Sequence, residues 1–202
     1  MSLRNQGIRD TRVLAAMERI PRELFVPELF SEQAYADQSL PLECGQTISQ
    51  PYVVAFMTEK LKVNDRCKVL EVGTGSGYQA AILSRLCLRV YTIERYRTLL
   101  RGAEKRFEKL RLTNITSMVA DGNKGWPQQA PFDRIMVTAA AKVMPMELIE
   151  QLKDDGIMVL PLENDTGEQE LVRVTRHADE YEVEYLLPVR FVPLVDGVAK
   201  EL

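Results

Sequence analysis

The chain has 202 residues, of which 46% are hydrophobic and 27% are charged, and its formal net charge is −3. This composition suits one soluble globular domain, and the acidic balance argues against a broad basic surface for a nucleic-acid backbone. Because no apolar run is long enough for a membrane span and the N-terminus lacks a secretory signal, we expect a cytoplasmic protein without a membrane partner.

Cysteine and histidine usage excludes two classes of chemistry. The three cysteines, Cys44, Cys67 and Cys87, are scattered, and their spacing predicts neither a zinc site nor a disulfide framework. The only histidine, His177, lies in the polar stretch "TRHADEY", where we expect it to be exposed. A metal centre and a histidine-dependent hydrolase are therefore not expected.

The first sixty residues predict helices and one unusual loop. Residues 8–20 carry apolar side chains at helical spacing, and Pro21 and Pro27 interrupt the pattern that follows. The loop "GQTISQP" precedes a second helix, in which Pro51 suits the first turn because its backbone angle is already helical.

From Lys68 onward, short β-branched runs alternate with helical stretches, which predicts a parallel sheet covered on both faces. The expected order is "KVLEVG", a helix through residue 86, "RVYTIE", a helix over 97–110, "TSMVAD", "RIMVTAA", a helix over 145–153, and "GIMVLPL". The stretches "ELVRVTR", "YEVEYLLPV" and "RFVPLV" then predict an antiparallel edge. The predicted fold class is α/β, with a mostly parallel sheet.

The most specific stretch is "VLEVGTGSGYQAAIL", in which glycines separate a strand from a helix. Gly73, Gly75 and Gly77 permit a tight turn and a close backbone approach to a ligand. The pattern is not the dinucleotide fingerprint, because Tyr78 occupies the position of its third glycine, and no phosphate-loop lysine follows. The spacing resembles motif I of the Rossmann-like class I S-adenosylmethionine-dependent methyltransferases. That resemblance implies a loop, including Thr74, around the methionine part of the cofactor.

Acidic residues follow or end three of the predicted strands. Glu71 lies at the end of the first and is a candidate partner for positive charge near the loop. Glu94 ends the second, where a carboxylate can accept hydrogen bonds from both ribose hydroxyls. Asp121 can accept the adenine amino group while Gly122 leaves room for the ring. Since parallel strands end at one edge of a sheet, these residues predict one cofactor site.

With these residues assembled, the chain resembles the protein-L-isoaspartate O-methyltransferase family nearly end to end. "GQTISQP" matches the signature loop, "VLEVGTGSGYQAAIL" matches motif I, and "APFDRIMVTAA", "GIMVLPL" and "RFVPL" match later strands. The resemblance implies methyl transfer from S-adenosyl-L-methionine to the free α-carboxylate of L-isoaspartyl residues in damaged proteins and peptides. The ester then collapses to a succinimide, and hydrolysis returns part of it to aspartate.

The expected organisation is a single methyltransferase domain over residues 1–202. A helical N-terminal cap and the signature loop occupy residues 1–62, the cofactor-binding core occupies 63–165, and a β-rich segment occupies 166–202. We expect a monomer.

The signature loop suits the chemistry that the resemblance implies. A carboxylate with a reference pKa near 4 is already ionised at neutral pH, so its methylation needs positioning rather than a strong base. A helix entrance attracts anions, and Ser49 can donate one orienting hydrogen bond as the catalytic residue, with Thr47 and Gln50 as further substrate contacts. The local sequence alone favours a helix cap by Ser49 or Gln50, whereas the resemblance favours catalysis.

Two alternatives stay open. One is a methyltransferase for another acceptor, such as RNA or a small molecule. The other is a methyltransferase-like protein that binds the cofactor without repair activity, and it is motivated by Glu43, Asp155 and Glu163, which depart from the family pattern. Further departures are Cys44, Asn123 and Asn164.

Overall fold

The computed structural model describes residues 3–200, so the first and last two residues of the predicted domain lie outside it. The helices are α1 (Thr11–Arg19), α2 (Pro51–Leu61), α3 (Tyr78–Ser84), α4 (Arg97–Lys109) and α5 (Met146–Ile149). The strands are β1 (Leu40–Pro41), β2 (Thr47–Ile48), β3 (Lys68–Val72), β4 (Arg89–Glu94), β5 (Ile115–Val119), β6 (Phe132–Val137), β7 (Leu152–Glu163), β8 (Gln169–His177) and β9 (Glu180–Val189). Short 3₁₀ helices lie at Arg22–Phe25, Glu28–Gln33, Glu43–Gly45, Gly122–Lys124 and Pro127–Gln129.

Seven of these strands form the central sheet in the order β5-β4-β3-β6-β7-β8-β9. Pairing is parallel from β5 to β7 and antiparallel from β7 to β9. The predicted mostly parallel sheet with an antiparallel C-terminal edge is therefore confirmed. Because β4 and β6 lie on opposite sides of β3, the connections leave a crevice at the carboxyl ends of the central strands, where ligands bind in such sheets.

Two apolar layers enclose the sheet. Successive side chains along each strand point to opposite faces, so the same strands contribute to both layers. Val69 packs with α1 to α4 on one face, whereas Leu70 and Val72 pack with α5 on the other. Each such fully buried aliphatic side chain stabilises the fold by about 1.5–3 kcal/mol. The predicted helices on both faces are confirmed, and within residues 3–200 α5 is the α-helix that contributes buried side chains to the second face.

Three predicted elements differ from the structure. The first helix begins at Thr11, because Asp10 Oδ1 accepts the N–H groups of Arg12 (2.8 Å) and Val13 (3.4 Å) as an N-cap. The helix predicted over 145–153 ends at Ile149, since the Gln151 side chain donates to the Glu147 carbonyl and Leu152 already pairs with β6.

The third difference is "RFVPLV", which is not a strand. Ala140 donates to the Val192 carbonyl and accepts from the Leu194 N–H, each at 2.8 Å. These two hydrogen bonds hold residues 192–194 against the loop after β6, at the carboxyl ends of the sheet strands.

Two departures from the family pattern take left-handed backbone. Cys44 and Asp155 each have a φ of 57°. A glycine adopts this conformation without strain and an aspartate adopts it comparatively readily, whereas other residues pay about 1–2 kcal/mol. The conformational cost therefore falls mainly on Cys44.

Within residues 3–200, no helix is both long and apolar enough to cross a bilayer. The same part of the chain contains no group of three or more side chains placed to hold a metal ion.

Candidate active site

The glycine loop folds back onto the end of β4. The N–H groups of Gly73 and Thr74 both donate to the Ile93 carbonyl, at 2.8 and 3.1 Å. Gly73 has a φ of 99°, and a Cβ built on it would lie 2.3 Å from Thr138 Oγ1. Only glycine satisfies both conditions, so the loop passes close to β6 and leaves its backbone open to the cleft.

Gly77 has a different function from the glycines that line the cleft. It precedes α3 with a φ of 89°, and a Cβ on it would lie 2.7 Å from Phe107 and 3.0 Å from Ala103 of α4. Gly77 does not line the cleft. Its missing side chain lets α4 pack against the start of α3.

Glu94 lies at the end of β4 with its carboxylate in the cleft wall. Oε2 accepts the Gly75 N–H at 2.8 Å, and Oε1 accepts those of Arg95 and Tyr96 at 2.8 and 3.0 Å. Burial raises the pKa of Glu94, and these backbone hydrogen bonds oppose that shift. Since a carboxylate oxygen accepts two hydrogen bonds, Oε2 can accept one more from a ligand.

The structure does not bring Glu71 into the cleft. Its side chain is fully buried beneath the loop, where Oε2 accepts a hydrogen bond from the Thr92 hydroxyl. Thr92 Oγ1 lies 2.6 Å from Thr74 Oγ1, so a hydroxyl chain links the carboxyl to the glycine loop. Burial raises the pKa of Glu71 to about 8. A group that is mainly neutral at pH 7 supports the loop and does not offer a charge to a ligand.

Asp121 and Gly122 follow β5, but only Gly122 lines the cleft. Asp121 Oδ1 accepts the Asn123 N–H at 3.0 Å and thereby caps the short 3₁₀ helix. A Cβ on Gly122 would lie 2.5 Å from Val72 Cγ1 and 3.4 Å from Leu194 Cδ1. A side chain at position 122 would therefore collide with the residues around the cleft, and glycine avoids this. The predicted contact of Asp121 with adenine stays a prediction.

The signature loop forms the opposite wall. Thr47 and Ser49 line the cleft, whereas Gln50 does not. Gln50 is the N-cap residue of α2, yet no side chain of the loop caps the helix. Instead, Asp37 Oδ1 accepts the Tyr52 N–H at 2.9 Å. The predicted alternative of a cap by Ser49 or Gln50 is wrong, and the helix entrance that we expected to be open to an anion already holds a carboxylate.

Ser49 itself keeps a free hydroxyl. Among the residues that the structure describes, only its carbonyl forms a hydrogen bond, which it accepts from Arg22. A half-buried hydroxyl without a protein partner is available to a ligand in the cleft.

The cleft lies between the signature loop and the carboxyl ends of the central strands, and it is open to solvent at its mouth. The sequence interpretation missed Thr138, which directly follows β6 at the same sheet edge, and it missed the crossing segment 192–195. The strand-end rule that found Glu94 could have found Thr138. No local pattern could have found segment 192–195, which is placed by its bonds to Ala140.

The cleft fits S-adenosylmethionine. The backbone of Gly73, where a side chain has no room, forms one end of the cleft. Glu94 offers an acceptor oxygen beside it. Apolar walls come from Val72, Ile93 and Leu194. Together with the sheet order, these features define a class I S-adenosylmethionine-dependent methyltransferase.

Comparison with known proteins narrows the class. Residues 1–199 match the family described as protein-L-isoaspartate(D-aspartate) O-methyltransferase. The chain is 64% identical to the protein-L-isoaspartate O-methyltransferase of Parvibaculum lavamentivorans, covering 100% of this chain and 91% of that protein. It is 59% identical to that of Maricaulis maris, with coverage of 100% and 94%.

Solved structures agree. One protein-L-isoaspartate O-methyltransferase superposes with a TM-score of 0.85 at 28% identity, over 95% of this chain and 63% of that chain. A Plasmodium falciparum protein solved in complex with S-adenosyl-L-homocysteine has a TM-score of 0.84 at 23% identity, which shows the shared fold, over 96% and 94% of the two chains.

The chain belongs to the protein-L-isoaspartate(D-aspartate) O-methyltransferase family. The predicted family, enzyme class and cofactor are confirmed: it is an S-adenosylmethionine-dependent methyltransferase of isoaspartyl residues. The two alternatives, another acceptor and a binding protein without repair activity, are not favoured.

Proposed function

We propose that the cleft holds the cofactor on the glycine-loop side and the free α-carboxylate of an isoaspartyl residue on the signature-loop side. Gly73, Thr74 and Gly75 face the methionine part, Glu94 accepts the ribose hydroxyls, and Gly122 lies beside the adenine. Asp121 contacts the adenine amino group after a change of side-chain rotamer. Glu71 and Gly77 act on the cofactor only through the loop, the former as its buried support and the latter by packing.

The acceptor side is proposed to use Thr47 and Ser49 directly, with Gln50 as a peptide contact outside the main cleft. The observation that carries this assignment is the Ser49 hydroxyl, which lines the cleft and has no partner among residues 3–200. If it were only a helix cap, it would donate to or accept from the α2 backbone, and it does neither.

The reaction needs little from the protein beyond placement. When bound, the cofactor supplies an electrophilic methyl group on a sulfonium sulfur. The acceptor carboxylate is already ionised, so no residue has to remove a proton. One hydrogen bond from Ser49 fixes one carboxylate oxygen and leaves the other lone pairs exposed. Such positioning lowers a barrier by about 7–11 kcal/mol in favourable cases.

We further propose that the chain works as a cytoplasmic monomer without a nucleic-acid or membrane partner. Its net charge of −3 supports the absence of a nucleic-acid partner. Two of the three cysteines, Cys67 and Cys87, are buried and form no disulfide, which supports a reducing compartment.

The test combines paired peptides with one variant. Labelled cofactor and peptides containing isoaspartate or aspartate should give base-labile label on the isoaspartyl peptide alone. Ser49→Ala should lower kcat by about 10- to 100-fold, because only orientation is lost, while cofactor affinity changes less than about threefold. Ser117→Ala on β5, outside the cleft, is the matched control. Equal losses of turnover and cofactor affinity in Ser49→Ala would contradict the orienting role.

A further inference from the structure

Arg22 is a fully buried cation outside the cleft. Its side chain is 1% exposed, in the 3₁₀ helix Arg22–Phe25. Nε donates to the Ala34 carbonyl and Nη2 donates to the Ser49 carbonyl, each at 2.7 Å. The guanidinium carbon lies 4.8 Å from the centre of the Tyr78 ring. Within residues 3–200, no carboxylate pairs with Arg22, and Nη1 has no hydrogen-bond partner.

A buried charge of this kind is expensive. Burial lowers the pKa of Arg22, and the neighbouring Tyr78 opposes that shift. Replacing a buried ion by an apolar residue is often neutral or stabilising, so core packing alone does not explain an arginine here. The planar guanidinium can serve two carbonyls and a ring at once, which a lysine cannot do.

The Ser49 hydroxyl depends on its backbone for its direction, because it has no partner of its own. On the N-terminal side, Ile48 is buried and pairs with Leu40 in the two-stranded ladder. On the C-terminal side, the peptide between Ser49 and Gln50 is held through its carbonyl by Arg22. The β1–β2 pairing therefore holds the residue before Ser49, and Arg22 holds the Ser49 carbonyl itself.

The same guanidinium contacts the cofactor side of the cleft. Tyr78 lines the cleft and begins α3 directly after the glycine loop. Its ring packs against Arg22 and, edge to face at 5.4 Å between ring centres, against Phe25. A single buried side chain thus joins the acceptor loop to the first residue behind the cofactor loop.

We propose that Arg22 is a positioning residue for methyl transfer, which holds the Ser49 carbonyl and the Tyr78 ring so that the Ser49 hydroxyl points at the acceptor carboxylate. The proposal rests on the proposed function of Ser49. A displacement of about 1 Å far from the reacting atoms can cost about 100-fold in rate, so a residue that never touches the substrate can control turnover.

The test is a double-mutant cycle between Arg22→Lys and Ser49→Ala, with Arg22→Gln in reserve if the lysine variant does not fold. The assay measures kcat and KM for an isoaspartyl peptide and the Kd for S-adenosylhomocysteine, below the melting transition of every variant. Arg106→Lys is the matched control. Arg106 also donates to backbone carbonyls, of Leu24 (2.8 Å) and Ser76 (3.3 Å), but does not contact Ser49.

Arg22→Lys should lower kcat by about tenfold or more with Kd within about threefold. In the Ser49→Ala background the same change should cost less than about twofold, because the hydroxyl that it positions is gone. Arg106→Lys should cost the same factor in both backgrounds. Full additivity of Arg22→Lys with Ser49→Ala would overturn the positioning role while leaving Ser49 intact. A Ser49→Ala variant with wild-type turnover would instead overturn the function of Ser49 on which the proposal rests.

Discussion

The hydroxyl of Thr138 occupies the space where a side chain on Gly73 would begin. Thr138 Oγ1 lies 2.7 Å from the Gly73 carbonyl oxygen and 3.0 Å from that of Val72, and it would be 2.3 Å from a Cβ at position 73. The threonine that directly follows β6 therefore holds the first turn of the glycine loop and also limits which residue can occupy position 73.

Gly73→Ala should abolish cofactor binding and destabilise the fold. The φ of 99° strains any side chain, and the contact with Thr138 forces either residue to move. Calorimetry with S-adenosylhomocysteine and thermal unfolding measure the two effects. Gly167→Ala, with a φ of 83° and no heavy atom within 4 Å, isolates the backbone cost of about 1 kcal/mol. Equal effects in the two variants would show that the Thr138 contact is unimportant, whereas Thr138→Ala should partly restore Gly73→Ala.

Glu94→Gln should weaken cofactor binding by about tenfold or more. The carboxylate accepts three backbone N–H groups, two at Oε1 and one at Oε2. An amide NH₂ at either position would therefore point a donor at one or two N–H donors. Fluorescence or calorimetric titration with S-adenosylhomocysteine measures the loss. Glu104→Gln on α4 removes the same charge from an exposed side chain whose partner is Ser117, and it should leave binding unchanged. Unchanged affinity in Glu94→Gln would remove Glu94 from the cofactor site.

Much of the cofactor half could be predicted from the sequence, because local patterns determine it. The glycine spacing requires a tight turn, and the strand that ends at Glu94 follows from β-branched residues. Parallel pairing then brings these ends together without further information. Glu71 shows the limit of this reasoning. Its position in the strand was correct, but whether it faces a cleft or a buried layer depends on the packing of α3 above it.

The acceptor half depends on contacts that are distant in sequence. The Tyr52 N–H is capped by Asp37, fifteen residues earlier, and the Ser49 carbonyl is held by Arg22, twenty-seven residues earlier. The segment at 192–195 reaches the cleft from the far edge of the sheet through Ala140. No periodicity or motif reports such pairings, so the alternative that local sequence offered, a cap by Ser49 or Gln50, names the wrong residues.

Asp37→Ala should lower the free energy of unfolding by about 1 kcal/mol, because the Tyr52 N–H in the first turn of α2 loses its side-chain cap. Asp37→Asn should lose less than half of this, since an amide oxygen also accepts the Tyr52 N–H. Urea unfolding of the three proteins measures the difference. Equal losses in the asparagine and alanine variants would show that Asp37 stabilises the fold by its charge and not as a cap.

Glu71→Gln should change how stability depends on pH. Burial raises the pKa of Glu71 from 4.5 to about 8, so between these values the folded chain keeps a proton that the unfolded chain has released. The contribution of Glu71 to stability is therefore complete below pH 4.5, declines as the pH rises, and is lost above about pH 8. Each unit of this shift is worth about 1.4 kcal/mol, so the stability of the wild type minus that of Glu71→Gln should fall by a few kcal/mol across the window. Glu104→Gln controls for the loss of one carboxyl group. If the difference in the free energy of unfolding between wild type and Glu71→Gln stays constant from about pH 5 to pH 8.5, Glu71 is ionised in the folded protein.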